Sequence, residues 1–133
     1  MKHELDISVR FCETDALGHV NNVSYFIYLE DARVKFFEML GTSSDLSDWK
    51  FIVASIKCDF VGQGYFNRNL TVTTRVSKVG NKSFELEHNI FEKSTNRLIA
   101  TGSVVMVYFN FDMQRSEPIP EVLRGQLNQF LTK

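Results

Sequence analysis

The chain has 133 residues, 44% of them apolar with 12 Phe, and a formal net charge of −1. That length suits one domain over residues 1–133, large enough for a core without disulfides or a metal, and the apolar fraction excludes disorder. The balanced charge gives no basic surface for nucleic acid, and two widely spaced cysteines, Cys12 and Cys58, exclude a disulfide framework and suit a reducing compartment.

No apolar run approaches the length of a membrane span, and the N-terminal MKHELDISVRF lacks the apolar core of a signal peptide. The expected location is the cytoplasm. In chain order, residues 5–11 alternate, with Leu5, Ile7, Val9 and Phe11 on one face, and predict a half-buried strand. A polar loop, DALGHVNNVSY over Asp15 to Tyr25, follows. A helix is expected over 23–40, capped at its start by Asn21 or Asn22 and stopped by Gly41. Tyr25, Tyr28, Leu29, Ala32, Phe36, Met39 and Leu40 make one apolar stripe, and Phe26, Ile27, Val34 and Phe37 widen it, so the helix is expected to be largely buried.

Four strands follow, over 51–61, 70–79, 83–91 and 98–111. The first is expected to carry Ile52, Ala54, Ile56, Cys58 and Phe60 on one face, and the last is apolar on both faces, as an interior strand requires. Gly80-Asn81 and Ser94-Thr95-Asn96 read as hairpin turns, which makes the sheet antiparallel. Pro118 and Pro120 precede a short helix over 121–131. The fold class is therefore α+β, a long helix packed on an antiparallel sheet of five strands.

The loop before the first helix holds more chemistry than a cap needs. A helix N-terminus offers unpaired N–H groups and a partial positive charge, which suit an anion or a developing oxyanion. Asp15 supplies a carboxylate nearby, and Gly18 allows a sharp turn between them. Carboxylate and electrophilic pocket together suit acyl transfer, thioester hydrolysis included. An Asp before a helix also serves as a turn residue, and Asn-Asn as a cap. Asp15 and His19 lack a further His or Cys nearby, so no metal site is expected. Cys12 reads as a small packing residue, His88 as a core or interface histidine, and His3 carries no signal.

The segment VRFCETDALGHVNNVSYFIYLEDAR resembles the signature region of hotdog-fold thioesterases, and more narrowly the 4-hydroxybenzoyl-CoA thioesterase-like family of acyl-CoA thioesterases. The shared pattern is Arg-Phe, then acid-x-Asp-x-x-Gly-His-Val-Asn-Asn-x-x-Tyr, here Glu13 to Tyr25. The resemblance implies a hotdog fold, a helix wrapped by the sheet. It implies Asp15 as nucleophile or general base, and the backbone N–H of Asn22, with Val23 beside it, as the donor to the thioester carbonyl. His19, Asn21 and Tyr25 are expected to shape the substrate pocket, with Glu13 orienting the loop. Lys82 and Ser83 are expected to meet the coenzyme A phosphates, with Arg68, Arg75 and Lys78 as further candidates. No cofactor is implied beyond the coenzyme A of the substrate. The chain departs from relatives at Gly80-Asn81, where one subgroup has a basic pair, and at Asn67-Arg68, where many have Gly-Asp.

The resemblance also implies a homodimer at least, with a homotetramer open, the active site at the subunit interface and the sheets joined edge to edge through the apolar last strand. The expected activity is hydrolysis of an acyl-CoA to a free acid and coenzyme A. Two other readings keep the fold: a thioesterase acting on acyl groups delivered by acyl-carrier protein, and a non-catalytic acyl-CoA-binding module. The Asp-first motif separates the chain from hotdog dehydratases, which use a catalytic His.

Overall fold

A computed structural model describes residues 1–42 and 49–132. The chain runs β1 (His3–Ser8), α1 (Asn22–Met39), β2 (Phe51–Phe60), β3 (Asn69–Val79), β4 (Ser83–Glu92), β5 (Arg97–Asn110), β6 (Arg115–Ser116) and α2 (Glu121–Asn128). The strands form one antiparallel sheet in the order β1-β3-β4-β5-β2, with the two-residue β6 paired to the end of β5. The sheet thus has six strands rather than five, because the chain turns back after Asn110 and pairs once more before Pro118.

Helix α1 begins and ends within a residue of expectation. The Asn21 side chain caps it by accepting the Val23 N–H at 3.1 Å, and Gly41 adopts φ +87° just past its end. Leu29, Ala32, Phe36 and Phe37 are fully buried against the sheet. Tyr25, Tyr28 and Leu40 are buried with them, but among the described residues the other flank is not covered: Val23, Ile27 and Met39 are exposed, and Phe26 and Val34 are half-buried. The expectation of a largely buried helix holds for one face only.

The inner sheet face carries Leu70, Val72 and Val76 from β3 and Phe84, Leu86 and Ile90 from β4, as alternation predicts. Strand β2 differs. A bulge between Val53 and Ser55 flips its alternation, so Phe51 and Val53 lie opposite Tyr108 and Met106 while Ile56, Cys58 and Phe60 lie opposite Val104, Gly102 and Ala100. Ile52 and Ala54 therefore leave the face on which alternation places them. Strand β5 is interior, bonded to β4 and β2, so it cannot supply the free edge expected of the last long strand. The free edges are β1 and β2.

The predicted first strand stops at Ser8. Residues Phe11–Glu13 form a short 3-10 turn instead, because the Glu13 carboxylate accepts the Arg10 backbone N–H at 2.8 Å and bends the chain. At the Asn67-Arg68 departure Asn67 takes φ +62°, a left-handed conformation that Asn tolerates where relatives place Gly.

One polar row crosses the apolar inner face. His3, Thr74 and His88 are successive register partners on β1, β3 and β4, and Gly102 continues the row on β5. His88 is fully buried, its Nδ1 3.0 Å from the Thr74 hydroxyl, while the buried Arg33 guanidinium reaches down from α1. Burial first, and then the Arg33 charge, push the His88 pKa down to about 4 from 6.5. Between those two values the unfolded chain binds a proton that the folded chain refuses, so stability falls as pH falls. Urea unfolding from pH 7.5 to 4.5 should show a loss of up to about 3 kcal/mol from this group. His88→Gln should lose that part of the slope; equal slopes in the two proteins would refute the assignment.

Candidate functional site

The loop between β1 and α1 is a tight hairpin held by its own backbone. The Asp15 N–H donates to the His19 carbonyl at 2.8 Å, the Gly18 N–H donates to the Asp15 carbonyl at 3.2 Å, and Thr14 bridges Val20. Gly18 takes φ +78°, the left-handed conformation that this turn requires. The Asp15 carboxylate closes the turn, its Oδ1 accepting the N–H groups of Leu17 at 2.8 Å and His19 at 3.1 Å. Asp15 thus acts as a turn residue through one oxygen and leaves Oδ2 free of protein donors among the described residues.

Behind the hairpin sits Glu13, 6% exposed. Its carboxylate accepts the Arg10 backbone N–H, the Arg10 guanidinium at 3.0 Å and the Tyr28 hydroxyl at 3.0 Å, and its carbonyl accepts the Asn21 N–H at 2.8 Å. Burial pushes the Glu13 carboxyl up, but these donors together outweigh it and hold it below its ordinary value. Burial, and then the same bond, push the Tyr28 phenol well up. One carboxylate therefore ties the end of β1, the start of the hairpin and the second turn of α1 together.

The opposite wall comes from the segment after β2. The Val20 N–H donates to the Gly64 carbonyl at 2.9 Å, and the Phe66 N–H to the Gly18 carbonyl at 3.1 Å. Gly64 N–H donates to the Tyr25 hydroxyl at 3.0 Å. A Cβ on Gly64 would lie 2.8 Å from Val20 Cγ2 and 3.2 Å from the Tyr25 oxygen, so this approach needs glycine.

Hairpin, helix start and wall enclose a cavity of about 600 Å³ lined by Asp15, His19, Val20, Asn22, Tyr25, Phe60, Val61, Gly62 and Gln63. The structure thus brings Asp15, His19, Asn22 and Tyr25 together. His19 stacks edge-on with Tyr65 at 5.2 Å, which places its ring on the rim. Asn21 is committed to capping, and Val23 is 61% exposed with its N–H bonded to that cap. Asn22 differs: among the described residues its N–H, in the first turn of α1, has no acceptor. Lys82 and Ser83 lie at the far end of the sheet. Ser83 pairs with Val107, which pairs with Ile52, whereas the cavity borders Phe60, which pairs with Ala100. One chain does not bring them to the cavity.

The wall residues Gly62, Gln63 and Gly64 were not foreseen. The Gly-Gln-Gly spacing was visible after a predicted strand, but a glycine pair signals only that something approaches closely, not what.

Residues 9–127 match the thioesterase-like superfamily. The chain belongs to the thioesterase-like superfamily. It is a thioester hydrolase with the α+β fold of hotdog thioesterases. The uncharacterized protein YsmA of Bacillus subtilis is 40% identical over 101 residues, 76% of this chain and 68% of that one. A predicted thioesterase from Bacillus stearothermophilus superposes with a TM-score of 0.93 at 29% identity, covering 100% of this chain and 98% of that one. A Thermus thermophilus thioesterase, solved with coenzyme A and Zn, superposes with a TM-score of 0.82 at 30% identity, covering 93% and 95%.

The Glu13 hub makes a direct prediction. Glu13→Ala leaves the Arg10 N–H and the Tyr28 hydroxyl without an acceptor, at a cost of about 3 kcal/mol in urea unfolding. Glu13→Gln keeps an oxygen for Tyr28 and should cost less. Equal stability of Glu13→Ala and the unsubstituted protein would show that the hub does not hold the loop.

Proposed function

We propose that the protein is an acyl-CoA thioesterase that hydrolyses its substrate to a free carboxylic acid and coenzyme A. One observation carries this reading: Asp15, with a carboxylate oxygen free of protein donors, and Asn22, with a helix N-terminal N–H free of acceptors among the described residues, line the same cavity. The thioester carbonyl oxygen would accept the Asn22 N–H, where the α1 dipole also favours negative charge. Asp15 Oδ2 then faces the carbonyl carbon.

Two routes use this geometry. As general base, Asp15 takes a proton from water while the water oxygen bonds the carbonyl carbon. The oxyanion collapses, the C–S bond breaks, and the thiolate recovers a proton. As nucleophile, Asp15 bonds the carbonyl carbon itself, expels the thiolate, and water then hydrolyses the mixed anhydride. The bonds to Leu17 and His19 hold Oδ1 in place, so Oδ2 is aimed without rotamer freedom in either route. His19 and Phe60 then shape the cavity mouth.

The coenzyme A reading is supported by the Thermus thermophilus relative, which was solved with that molecule. Lys82 and Ser83 suit its phosphates only if a second chain supplies them. The free edge of β2 suggests how. Val53, Ile56 and Phe60 on this strand are exposed, and Phe26 packs edge-on against Phe60 at 6.4 Å beside it. An antiparallel β2–β2 junction would cover this surface and the open flank of α1. It would also reverse the two chains, laying the Lys82 end of one sheet beside the Asp15 end of the other. The working unit in this reading is a cytoplasmic homodimer at least, one hotdog domain per chain, with α1 wrapped only after pairing. No described helix is long and apolar enough to cross a membrane.

Thiol release from a panel of aliphatic and aromatic acyl-CoAs tests the activity. Asp15→Asn should lower kcat by about 100- to 10,000-fold with the fold intact. Full activity in that variant would remove Asp15 from the chemistry, and binding without turnover in the unsubstituted protein would favour a binding module. Lys on the β2 edge blocks strand pairing. Val53→Lys should therefore give a monomer by light scattering that has lost most thiol release; a fully active monomer would refute the shared site.

A further inference from the structure

Resting on the thioesterase reading, we infer that the Tyr25 hydroxyl is a second hydrogen-bond donor to the thioester carbonyl oxygen, acting beside the Asn22 N–H. Tyr25 lies three residues after Asn22, on the same face of α1 and one turn deeper, and both line the cavity with Asp15. The side chain is 3% exposed. A phenol has one proton to give and an oxygen that accepts. The oxygen is committed, since it accepts the Gly64 N–H at 3.0 Å. The proton is not: among the described residues the hydroxyl donates to nothing. A buried donor left unmade is costly, so a partner belongs in the cavity that this side chain lines.

The hydroxyl is also held in place. Its ring packs edge-on against Tyr28 at 6.1 Å and tilted against Phe60 at 5.3 Å. The Gly64 backbone sits so near that a Cβ there would lie 3.2 Å from the oxygen. The N–H from Gly64 draws electron density from the oxygen and strengthens the O–H as a donor. Burial, the largest influence, raises the phenol pKa above its ordinary value, so the proton stays on oxygen at neutral pH. Tyr25 transfers no proton in this role. It hydrogen-bonds the carbonyl oxygen, the bond shortens as the oxyanion forms, and it relaxes when the C–S bond breaks and the thiolate leaves.

A clamp that only ties α1 to the wall at Gly64 would use the same oxygen but not the proton, and two substitutions separate the roles. Tyr25→Phe deletes the whole hydroxyl, the proton and the oxygen that accepts the Gly64 N–H, and keeps the ring, so its loss of activity fits either role and the second substitution decides between them. Tyr25→Phe should lower kcat for acyl-CoA hydrolysis by about 100-fold with KM changed little. Site-specific replacement of Tyr25 by 3,5-difluorotyrosine keeps the hydroxyl and its packing while making it more acidic. The kcat profile should then lose activity at a lower pH than in the unsubstituted enzyme, as the donor ionises. The titratable and charged groups around the hydroxyl, Cys58 on β2, Tyr65, Tyr28, Asp15, His19 and Arg97 on β5, are untouched by this change, so the displaced limb reports Tyr25. Unchanged kcat in Tyr25→Phe, or an alkaline limb that fluorination leaves in place, overturns the assignment while thiol release by the unsubstituted enzyme keeps the thioesterase reading. Absence of thiol release in the unsubstituted enzyme overturns both.

Discussion

Helix α1 must bury Leu29, Ala32, Phe36 and Phe37 against the sheet, and that burial decides where its first turn ends up. Leu29, Phe36 and Phe37 each contribute roughly 2 kcal/mol by leaving water, more than any single polar contact near the site. The helix is therefore seated by its middle and C-terminal half. Its N-terminus is then fixed as a consequence, over the Phe60 end of β2 and against the segment of Gly62 to Gly64. Everything chemical in the molecule depends on that placement. The Glu13 hub and the Tyr25–Gly64 bond only trim it, by binding the hairpin and the wall to the first two turns.

The same constraint explains why the candidate site is so local. Asp15 and Asn22 are seven residues apart, joined by a hairpin that satisfies its own backbone groups. A carboxylate in an Asx-type turn is preorganised at no cost to the core. A helix N-terminus whose cap serves Val23 leaves Asn22 as the unspent donor among the described residues. Local order of this kind made the site legible from residue types and spacing. Asp15, His19, Asn22 and Tyr25 could be placed together because chain connectivity nearly forces them together.

What the sequence could not show is the part set by distant contacts. The hairpins β3–β4 and β4–β5 were readable from Gly80-Asn81 and Ser94-Thr95-Asn96, since their turn chemistry is local. The inward face of β2 was not, because the bulge after Val53 inverts an alternation that the residues themselves continue. The strand predicted through Phe11 failed because a side chain, Glu13, captured the Arg10 N–H that a sheet neighbour would have taken. Lys82 and Ser83 were read as partners of the site, yet a strand of ten residues separates their end of β4 from the cavity end. The exposed flank of α1, with Ile27 and Met39, was expected to be buried for one reason. Hydropathy reports that a surface wants to be covered, not by which chain.

The central claim is that Asn22 and Asp15 address the same carbonyl group. The most direct test is a crystal structure of the protein with an unhydrolysable acyl-CoA in which a methylene replaces the thioester sulfur. The carbonyl oxygen should lie about 2.7–3.1 Å from the Asn22 nitrogen. The carbonyl carbon should lie about 3–3.5 Å from Asp15 Oδ2 or from a water bonded to it. An ordered ligand whose carbonyl points away from the start of α1, with Asp15 out of reach, would contradict that claim.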